Sequence, residues 1–191
     1  MNGYRLDRVS VLVVDDNKNM RSLMRAVLEA LGCKNIYEAN DGEHGLSKLR
    51  EANVDLVITD WNMEPMDGLE LTRRVRTDPD TKDPYLPVIM LSGHTERHRV
   101  MEARDAGVTE FVAKPVAARS LYTRIVTIIE HPRPFVKTTS YFGPDRRRQD
   151  LPFPGPERRQ ALIEAARAKG GEQAQAQLKE ARETIGAINK T

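Results

Sequence analysis

Four short runs of strand-forming, largely apolar residues, and a weaker run at residues 35–39 that fits an edge strand, recur along the first two thirds of this 191-residue chain. They occupy residues 9–14, 35–39, 54–60, 87–91 and 109–113. Each run has the length of a buried strand, and apolar residues at helical spacing follow each one. Five alternations of strand and helix with short links predict an α/β fold, in which helices cover both faces of a parallel sheet.

The two parts of the chain differ in charge. Residues 1–132 carry 18 Lys and Arg against 21 Asp and Glu, whereas residues 133–191 carry 12 against 7. We therefore predict a boundary between an acidic domain, 1–132, and a basic tail, 133–191. Because no apolar run approaches the roughly 20 residues of a membrane span and no signal-peptide core is present, we expect a cytoplasmic protein without membrane contact. The single cysteine, Cys33, is expected to be a half-buried structural residue.

Polar residues stand at the carboxyl ends of four predicted strands. They are Asp15 and Asp16, Asp60, Ser92, and Lys114. Open α/β sheets place their ligand chemistry at this edge, so we expect these side chains to converge. Carboxylates that lie close together repel one another unless a cation neutralises them, and a set of oxygen ligands suits Mg²⁺.

This combination of groups suits phosphoryl transfer, which depends on in-line positioning and charge neutralisation. Asp60 is the predicted nucleophile and phosphoryl acceptor, Lys114 and Mg²⁺ neutralise charge, and Ser92 donates a hydrogen bond. The sequence offers no Ser-His-Asp arrangement, glycine-rich phosphate loop or Cys/His zinc spacing. Trp61, beside the predicted acceptor, is expected to be a half-exposed packing residue.

A wider set of motifs surrounds these residues. It comprises Asp15-Asp16, Asp60-Trp61-Asn62-Met63, Met66-Asp67-Gly68-Leu69-Glu70-Leu71, Ser92, Phe111 and Lys114-Pro115. With this set, residues 8–131 resemble the receiver domain of bacterial two-component response regulators, and within that family the CheY-like chemotaxis regulators. The resemblance implies a flavodoxin-like, doubly wound sheet of five βα units with strand order 2-1-3-4-5, followed here by a partly helical extension.

The same resemblance implies a metal site and a phosphoryl donor. Mg²⁺ would be bound by Asp16, Asp60 and the main-chain carbonyl of Asn62, with Asp15 contributing through water. Asp60 would accept its phosphoryl group from a sensor histidine kinase or a phosphotransfer protein. The protein would then be a signalling switch in chemotaxis or another phosphorelay, and its own phosphorylation and dephosphorylation at Asp60 would be its only chemistry.

A switch pair is also implied by the resemblance. Ser92 would move toward the phosphoryl group, and Phe111 would rotate into the vacated space. This would change the face formed by the fourth helix, fifth strand and fifth helix, which would then bind a downstream protein target or a second copy of the chain. The Lys114–Pro115 peptide is expected to be cis.

The tail contains an arginine-rich repeat. Gly143-Pro144-Asp145-Arg146-Arg147 recurs twelve positions later as Gly155-Pro156-Glu157-Arg158-Arg159. Proline before an acidic residue and arginines predicts a helix start in both copies. Apolar residues within 178–188 predict another helix with a short coiled-coil seam.

Three roles for the tail remain open at this point. It could dock on another protein or on a second copy of the chain, become ordered only in a complex, or contact nucleic acid through its arginines. We do not expect nucleic-acid binding, because no helix-turn-helix pattern accompanies the basic charge. Two alternative functions are a scaffold or DNA-associated regulator that acts through the tail, and a phosphatase with an aspartyl intermediate. The phosphatase needs a second carboxylate two residues after the nucleophile, where this chain has Asn62.

Overall fold

The computed structural model describes residues 6–93, 97–139 and 141–146. Within them, strands and helices alternate along the chain. The order is β1 (Ser10–Val14), α1 (Lys18–Ala30), β2 (Asn35–Ala39), α2 (Gly42–Glu51), β3 (Leu56–Asp60), α3 (Gly68–Thr77), β4 (Val88–Ser92), α4 (Arg97–Ala106), β5 (Glu110–Ala113), α5 (Ala118–Glu130), β6 (Phe135–Lys137) and β7 (Phe142–Pro144).

The first five strands form one parallel sheet in the order β2-β1-β3-β4-β5. The strand order reverses between β1 and β3, because the chain builds the sheet first to one side of β1 and then to the other. Such a reversal opens a crevice at the carboxyl edge of the sheet. The predicted flavodoxin-like fold and its strand order are confirmed.

The alternation of side chains along β1 explains why both faces of the sheet are covered. Val11 and Val13 point into a core cluster that includes residues of α1 and α5, such as Met24 and Leu121. Leu12 and Val14 point into a second cluster with residues of α2 and α3; its buried members include Leu46, Leu49, Leu71 and Val75. A strand that buries both faces must be apolar throughout, which is why its sequence shows no polar alternation.

Side-chain caps and glycines set the helix ends. Asn17 caps α1 by accepting from the Asn19 amide at 2.9 Å, and Asp67 caps α3 by accepting from the Glu70 amide at 2.7 Å. Gly32 and Gly107 follow α1 and α4 with φ values of 94° and 95°, in the left-handed region that glycine tolerates best.

A short antiparallel hairpin, β6–β7, lies beyond the five-stranded sheet. The predicted helix start at Pro144 is therefore wrong, since Pro144 belongs to β7. The amide of Asp145 donates to the carbonyl of Pro134 at 2.7 Å, which extends the pairing between strands rather than starting a helical turn. The Tyr141 hydroxyl donates to the Pro144 carbonyl at 2.7 Å and helps to fix the main chain at the end of β7.

The hairpin packs on the loop before β4 and the turn before β5. The ring of Tyr85 meets those of Phe135 and Phe142 edge-on, with centroids 5.1 and 5.2 Å apart. The Arg76 guanidinium lies 5.1 Å from the centre of the Phe135 ring and donates to the carbonyls of Gly107 and Pro84. The proposed boundary at residue 132 stays a prediction. The β6–β7 hairpin just beyond it packs on the domain through β7 and the ring of Phe135.

The second copy of the repeat and the predicted coiled-coil segment lie outside the described residues. None of the described helices is long and apolar enough to cross a bilayer.

Candidate functional site

Four neighbouring strands deliver the predicted site residues to one edge of the sheet. Asp15 directly follows β1, Asp60 ends β3, Ser92 ends β4 and Lys114 directly follows β5. These strands are adjacent in the sheet, and parallel strands share the same carboxyl edge. The fold therefore brings residues that are up to 99 positions apart in sequence into one crevice.

The charged groups at this edge lie within contact distance of one another. Lys114 Nζ is 2.9 Å from Asp60 Oδ1 and 3.4 Å from Asp15 Oδ2. One oxygen from each of Asp15, Asp16 and Asp60 lies within 4.8 Å of the others. These contacts bring together four of the five side chains that the sequence predicts to converge, and the roles assigned to them stay predictions.

Asp60 is held by the chain that follows it. Its Oδ1 accepts from the amide of Trp61 at 2.7 Å, and its side chain is 12% exposed. The amide of Gly68 donates to the Trp61 carbonyl at 3.0 Å, so that the start of α3 lies against the end of β3. A Cβ atom on Gly68 would come within 2.0 Å of the Asp60 carbonyl oxygen. Gly68 is thus required by the close approach of α3 to the end of β3. No local pattern in the sequence indicates this approach.

Asp15 and Lys114 both have pKa values above their ordinary ones, and the causes differ. Burial raises the pKa of the Asp15 carboxyl, against the hydrogen bond from the Asn17 amide and the charge of Lys114. Burial also works against the charged form of Lys114, but the hydrogen bond and charge of Asp60, followed by those of Asp15, raise its pKa overall. Lys114 therefore stays an ammonium ion beside the carboxylates, and it offsets part of their mutual repulsion.

The three carboxylates fit a hard divalent cation. All of their donor atoms are oxygens, two of the side chains are buried and the third, Asp16, is exposed toward solvent. Mg²⁺ characteristically binds to one or two carboxylates and keeps several waters, and an acidic cluster with one open side satisfies that preference. The group could hold a metal ion.

The two predicted switch residues lie on neighbouring strands. Ser92 is 1% exposed, and its carbonyl accepts from the Lys114 amide at 2.8 Å. Phe111 is half-buried and pairs in register with Met90, two residues before Ser92. Asn62, two residues after Asp60, is exposed. The roles assigned to these residues stay predictions.

Trp61 differs from expectation, since it is 3% exposed rather than half-exposed. Its ring packs in a cluster whose other members include Leu69, Met90 and Ala103. Phe111 meets the ring edge-on at 6.4 Å, and the Arg99 guanidinium lies 5.4 Å from its centre. Cys33 is likewise 3% exposed, because it packs in the core beside α1. The burial of Trp61 and Cys33 depends on packing against residues that are distant in the sequence, and local sequence patterns do not reveal it.

Arg21, on α1, is a residue near the site that sequence reasoning missed. Its Nη1 donates to the main-chain carbonyls of Asp15 at 2.7 Å and Asp16 at 3.2 Å. Arg21 is one of three basic residues in α1, and nothing in the sequence distinguishes it from Lys18 and Arg25.

Together, the fold and the site define a doubly wound α/β domain with a carboxylate–lysine cluster at the strand-order reversal. The sequence profile of the response regulator receiver domain matches residues 11–126, and the chain therefore belongs to this family. Receiver domains are signalling switches rather than classical enzymes, and this one is CheY-like.

Relatives of known role cover the same region. Over 122 residues, the chain is 40% identical to the chemotaxis protein CheY of Pseudomonas aeruginosa, which spans 64% of this chain and 97% of that protein. It is 37% identical over 122 residues to the chemotaxis protein CheY-3 of Vibrio cholerae, with coverage of 64% and 92%.

Solved structures agree with this assignment. The chemotaxis protein CheY4 of Vibrio cholerae superposes with a TM-score of 0.58 at 29% identity, covering 63% of this chain and 98% of that one. The receiver domain of the Francisella response regulator 1452 gives a TM-score of 0.58 at 26% identity, with coverage of 63% and 96%. In both cases the similarity extends over the receiver region and leaves about a third of this chain unmatched.

Proposed function

We propose that the protein is a phosphorylation-activated response regulator in which Asp60 accepts a phosphoryl group. The observation that supports this most directly is the contact of 2.9 Å between Asp60 and Lys114, beside the acidic pair at the end of β1. A carboxylate needs a nearby positive charge if it is to approach a phosphoryl group that is itself anionic. Lys114 and a bound cation supply that charge.

In the proposed reaction, an Asp60 carboxylate oxygen forms a bond to phosphorus while the bond from phosphorus to the donor histidine nitrogen breaks. The nitrogen keeps the electron pair, and the product is an acyl phosphate. Lys114 neutralises charge on the phosphoryl oxygens, and the Ser92 hydroxyl donates a hydrogen bond to one of them. Attack by water later returns Asp60 to a free carboxylate and releases inorganic phosphate.

Asp16, Asp60 and the main-chain carbonyl of Asn62 would hold Mg²⁺, with Asp15 contributing through water. When bound, the ion supplies charge neutralisation and orients the phosphoryl oxygens. Asp15 fits a supporting role, because its Oδ2 already accepts from Lys114 and its Oδ1 from the Asn17 amide.

The proposed readout runs through Ser92 and Phe111. Phosphorylation adds about −1.5 to −2 charge at Asp60, which attracts the Ser92 hydroxyl. Phe111 then rotates inward, away from its position at the edge of the Trp61 ring. This change alters the surface of α4, β5 and α5, which we propose as the face for a downstream target or for a second copy of the chain.

The partners follow from the same proposal. The donor is a sensor histidine kinase or a phosphotransfer protein, and the relatives named as chemotaxis proteins favour a pathway that controls motility. The receiver belongs in the cytoplasm, where such kinases present their phosphohistidine.

Intact mass spectrometry tests the central claim. Incubation with MgCl₂ and acetyl phosphate should add one phosphoryl group to the protein, and an Asp60→Asn variant should add none. An Asp105→Asn variant is a matched control, because it removes a carboxylate at the far end of α4. Equal gain of mass by wild type and Asp60→Asn would show that the acceptor lies elsewhere.

A further inference from the structure

Asp15 and Asp16, the acidic pair, lie in the loop after β1, and a side chain of α1 binds the main chain of this loop. Arg21 donates from a single nitrogen, Nη1, to the carbonyls of Asp15 and Asp16, at 2.7 and 3.2 Å. These two carbonyls belong to consecutive peptide units, so one guanidinium fixes the orientation of both. The side chain of Arg21 is 15% exposed. Its bond to the Asp15 carbonyl is partly buried, whereas its bond to the Asp16 carbonyl is exposed.

The Arg21 guanidinium is itself anchored. Its Nε lies 3.4 Å from Glu38 Oε2, on the edge strand β2. Glu38 also binds Arg25, one turn further along α1, through Oε1 at 2.6 Å. Arg25 sends its remaining contacts to the Ile36 carbonyl and to Glu29, and not to the acidic pair. Two arginines therefore share one carboxylate, and Arg21 is the one that reaches the site.

The two residues of the acidic pair differ in how many other contacts fix them. Asp15 is fixed on several sides: its amide donates to the Ala39 carbonyl at 3.2 Å, and its carboxylate accepts from Asn17 and Lys114. Asp16 is exposed, and Arg21 ties its main chain to α1. Loss of the guanidinium would free the peptide that aims the Asp16 carboxylate, while Asp15 would keep its other contacts.

We propose that Arg21 is a positioning residue for the cation site at the carboxyl edge of the sheet. It holds the Asp16 carboxylate in place by fixing the main chain on either side, and its charge reduces the repulsion within the acidic cluster. It touches neither the cation nor the phosphoryl group. The inference rests on the proposed function, since it assumes that this cluster binds a divalent cation.

The planar guanidinium explains why arginine is suited to this position. Its nitrogens point in fixed directions, so that Nη1 can serve the two carbonyls while Nε serves Glu38. A lysine would bring the positive charge but would concentrate its donors on one flexible nitrogen. We therefore expect Arg21→Lys to keep part of the effect and Arg21→Ala to lose all of it.

The test measures the melting temperature of the full chain against MgCl₂ concentration, starting from EDTA-treated protein. The increase in melting temperature with MgCl₂ gives the apparent affinity, and the value in EDTA reports stability without metal. Arg21→Ala should weaken the Mg²⁺ affinity by about 10-fold or more, the range found when residues that orient metal ligands are removed. Arg21→Lys should lie between Arg21→Ala and wild type.

Arg25→Ala is the matched control, because it breaks the other Glu38 ion pair on the same helix without touching the acidic pair. Its Mg²⁺ affinity should stay within about 2-fold of wild type. If Arg21→Ala lowers the melting temperature in EDTA but keeps the wild-type Mg²⁺ affinity, Arg21 is only structural and the inference is wrong. An equal loss of affinity in Arg25→Ala would also overturn it. If wild type itself shows no response to MgCl₂, the proposed metal site fails instead.

Discussion

At the start of α3 there is space for a hydrogen atom on Gly68 and for nothing larger. An added Cβ would lie 2.0 Å from the main-chain oxygen of Asp60, which cannot move without displacing the end of β3. At Gly45, inside α2, the nearest atoms to an added Cβ are side-chain methyls of Val14 and Leu71 at 3.4 and 3.5 Å, which is ordinary contact. The same substitution should therefore have opposite effects at the two glycines.

We expect Gly68→Ala to destabilise the domain by roughly 1–3 kcal/mol or more, as overpacking does. Gly45→Ala should leave stability unchanged or raise it by up to about 1 kcal/mol, because alanine favours the helix. Urea unfolding of the two variants measures both free energies. A Gly68→Ala variant as stable as wild type would mean that α3 begins further from β3 than the structure shows.

Cys33 provides a pH-dependent test of the core. Burial raises the pKa of its thiol from 9.0 to about 11, so the folded state keeps the proton longer than the unfolded chain does. The stabilising contribution is complete below about pH 9 and is lost as the pH rises toward 11. Between pH 8 and 10, wild type should lose on the order of 1 kcal/mol of unfolding free energy relative to Cys33→Ala.

Unfolding in urea at both pH values, for wild type and Cys33→Ala, measures that difference. Iodoacetamide supplies an independent check, since the chain has one cysteine. Alkylation of the folded protein at pH 8 should be much slower than in urea. A native protein that is alkylated as fast as the unfolded chain would show that the thiol is exposed.

Among the secondary-structure elements, the five βα units could be predicted from sequence and the hairpin could not. The strands β1, β3 and β4 are largely apolar because they are buried on both faces, and that pattern is local. β6 and β7 have three residues each, and β7 contains Gly143 and Pro144, which usually mark turns. Their pairing depends instead on a docking surface made by residues such as Arg76 and Tyr85, far away in the sequence.

The same reason applies to the site. Its strand-end residues were predictable, because the carboxyl edge of a parallel sheet follows from topology. The close approach at Gly68, the burial of Trp61 and the contacts of Arg21 depend on how α1, α3 and α4 pack, and no local pattern encodes those distances.

The hairpin should stabilise the domain through Phe135. This ring contacts Tyr85 and Phe142 and covers the buried Arg76 guanidinium, whose pKa is lowered to about 10 by burial. We expect Phe135→Ala to cost roughly 1–3 kcal/mol, which is less than for a fully buried phenylalanine because the ring is half-buried.

Urea unfolding of the full chain measures this cost. Thr139→Ala is the control, since Thr139 is an exposed residue in the connection between β6 and β7 and should change stability by less than about 0.5 kcal/mol. Equal stability of both variants would indicate that the hairpin does not pack on the domain in solution.

Across the described part of the molecule, the carboxylate–lysine site and the hairpin lie at opposite edges of the sheet. The site is built from residues that follow the strands, whereas the hairpin contacts the loop and turn that precede β4 and β5. Helix α4 reaches both regions. Arg99 lies over the ring of Trp61, which follows Asp60, and Asp105 at the other end of the helix pairs with Arg146 at 3.3 Å.

Binding of a cation at one edge should stabilise the entire domain, because a ligand that binds only the folded state shifts the unfolding equilibrium. At a concentration 100 times its Kd, Mg²⁺ would add about 2.7 kcal/mol to the free energy of unfolding. For a domain of this size, that corresponds to an increase of several degrees in melting temperature. EDTA should abolish the increase.

The Asp16→Asn variant should lose most of the increase in melting temperature with MgCl₂, because it removes one negative charge from the acidic cluster. Asp16 is exposed, so the substitution removes no core contact. Asp105→Asn is the matched control. It loses ion pairs with Arg104 and Arg146, so its melting temperature in EDTA should fall slightly, but the increase with MgCl₂ should match that of wild type.

Comparable increases in Asp16→Asn and wild type would place the cation away from the end of β1, and Lys114 alone would then have to neutralise the charge of Asp60. Because the two aspartates lie at opposite ends of the domain, a general effect of ionic strength would change both variants alike, and only a site at the carboxyl edge separates them.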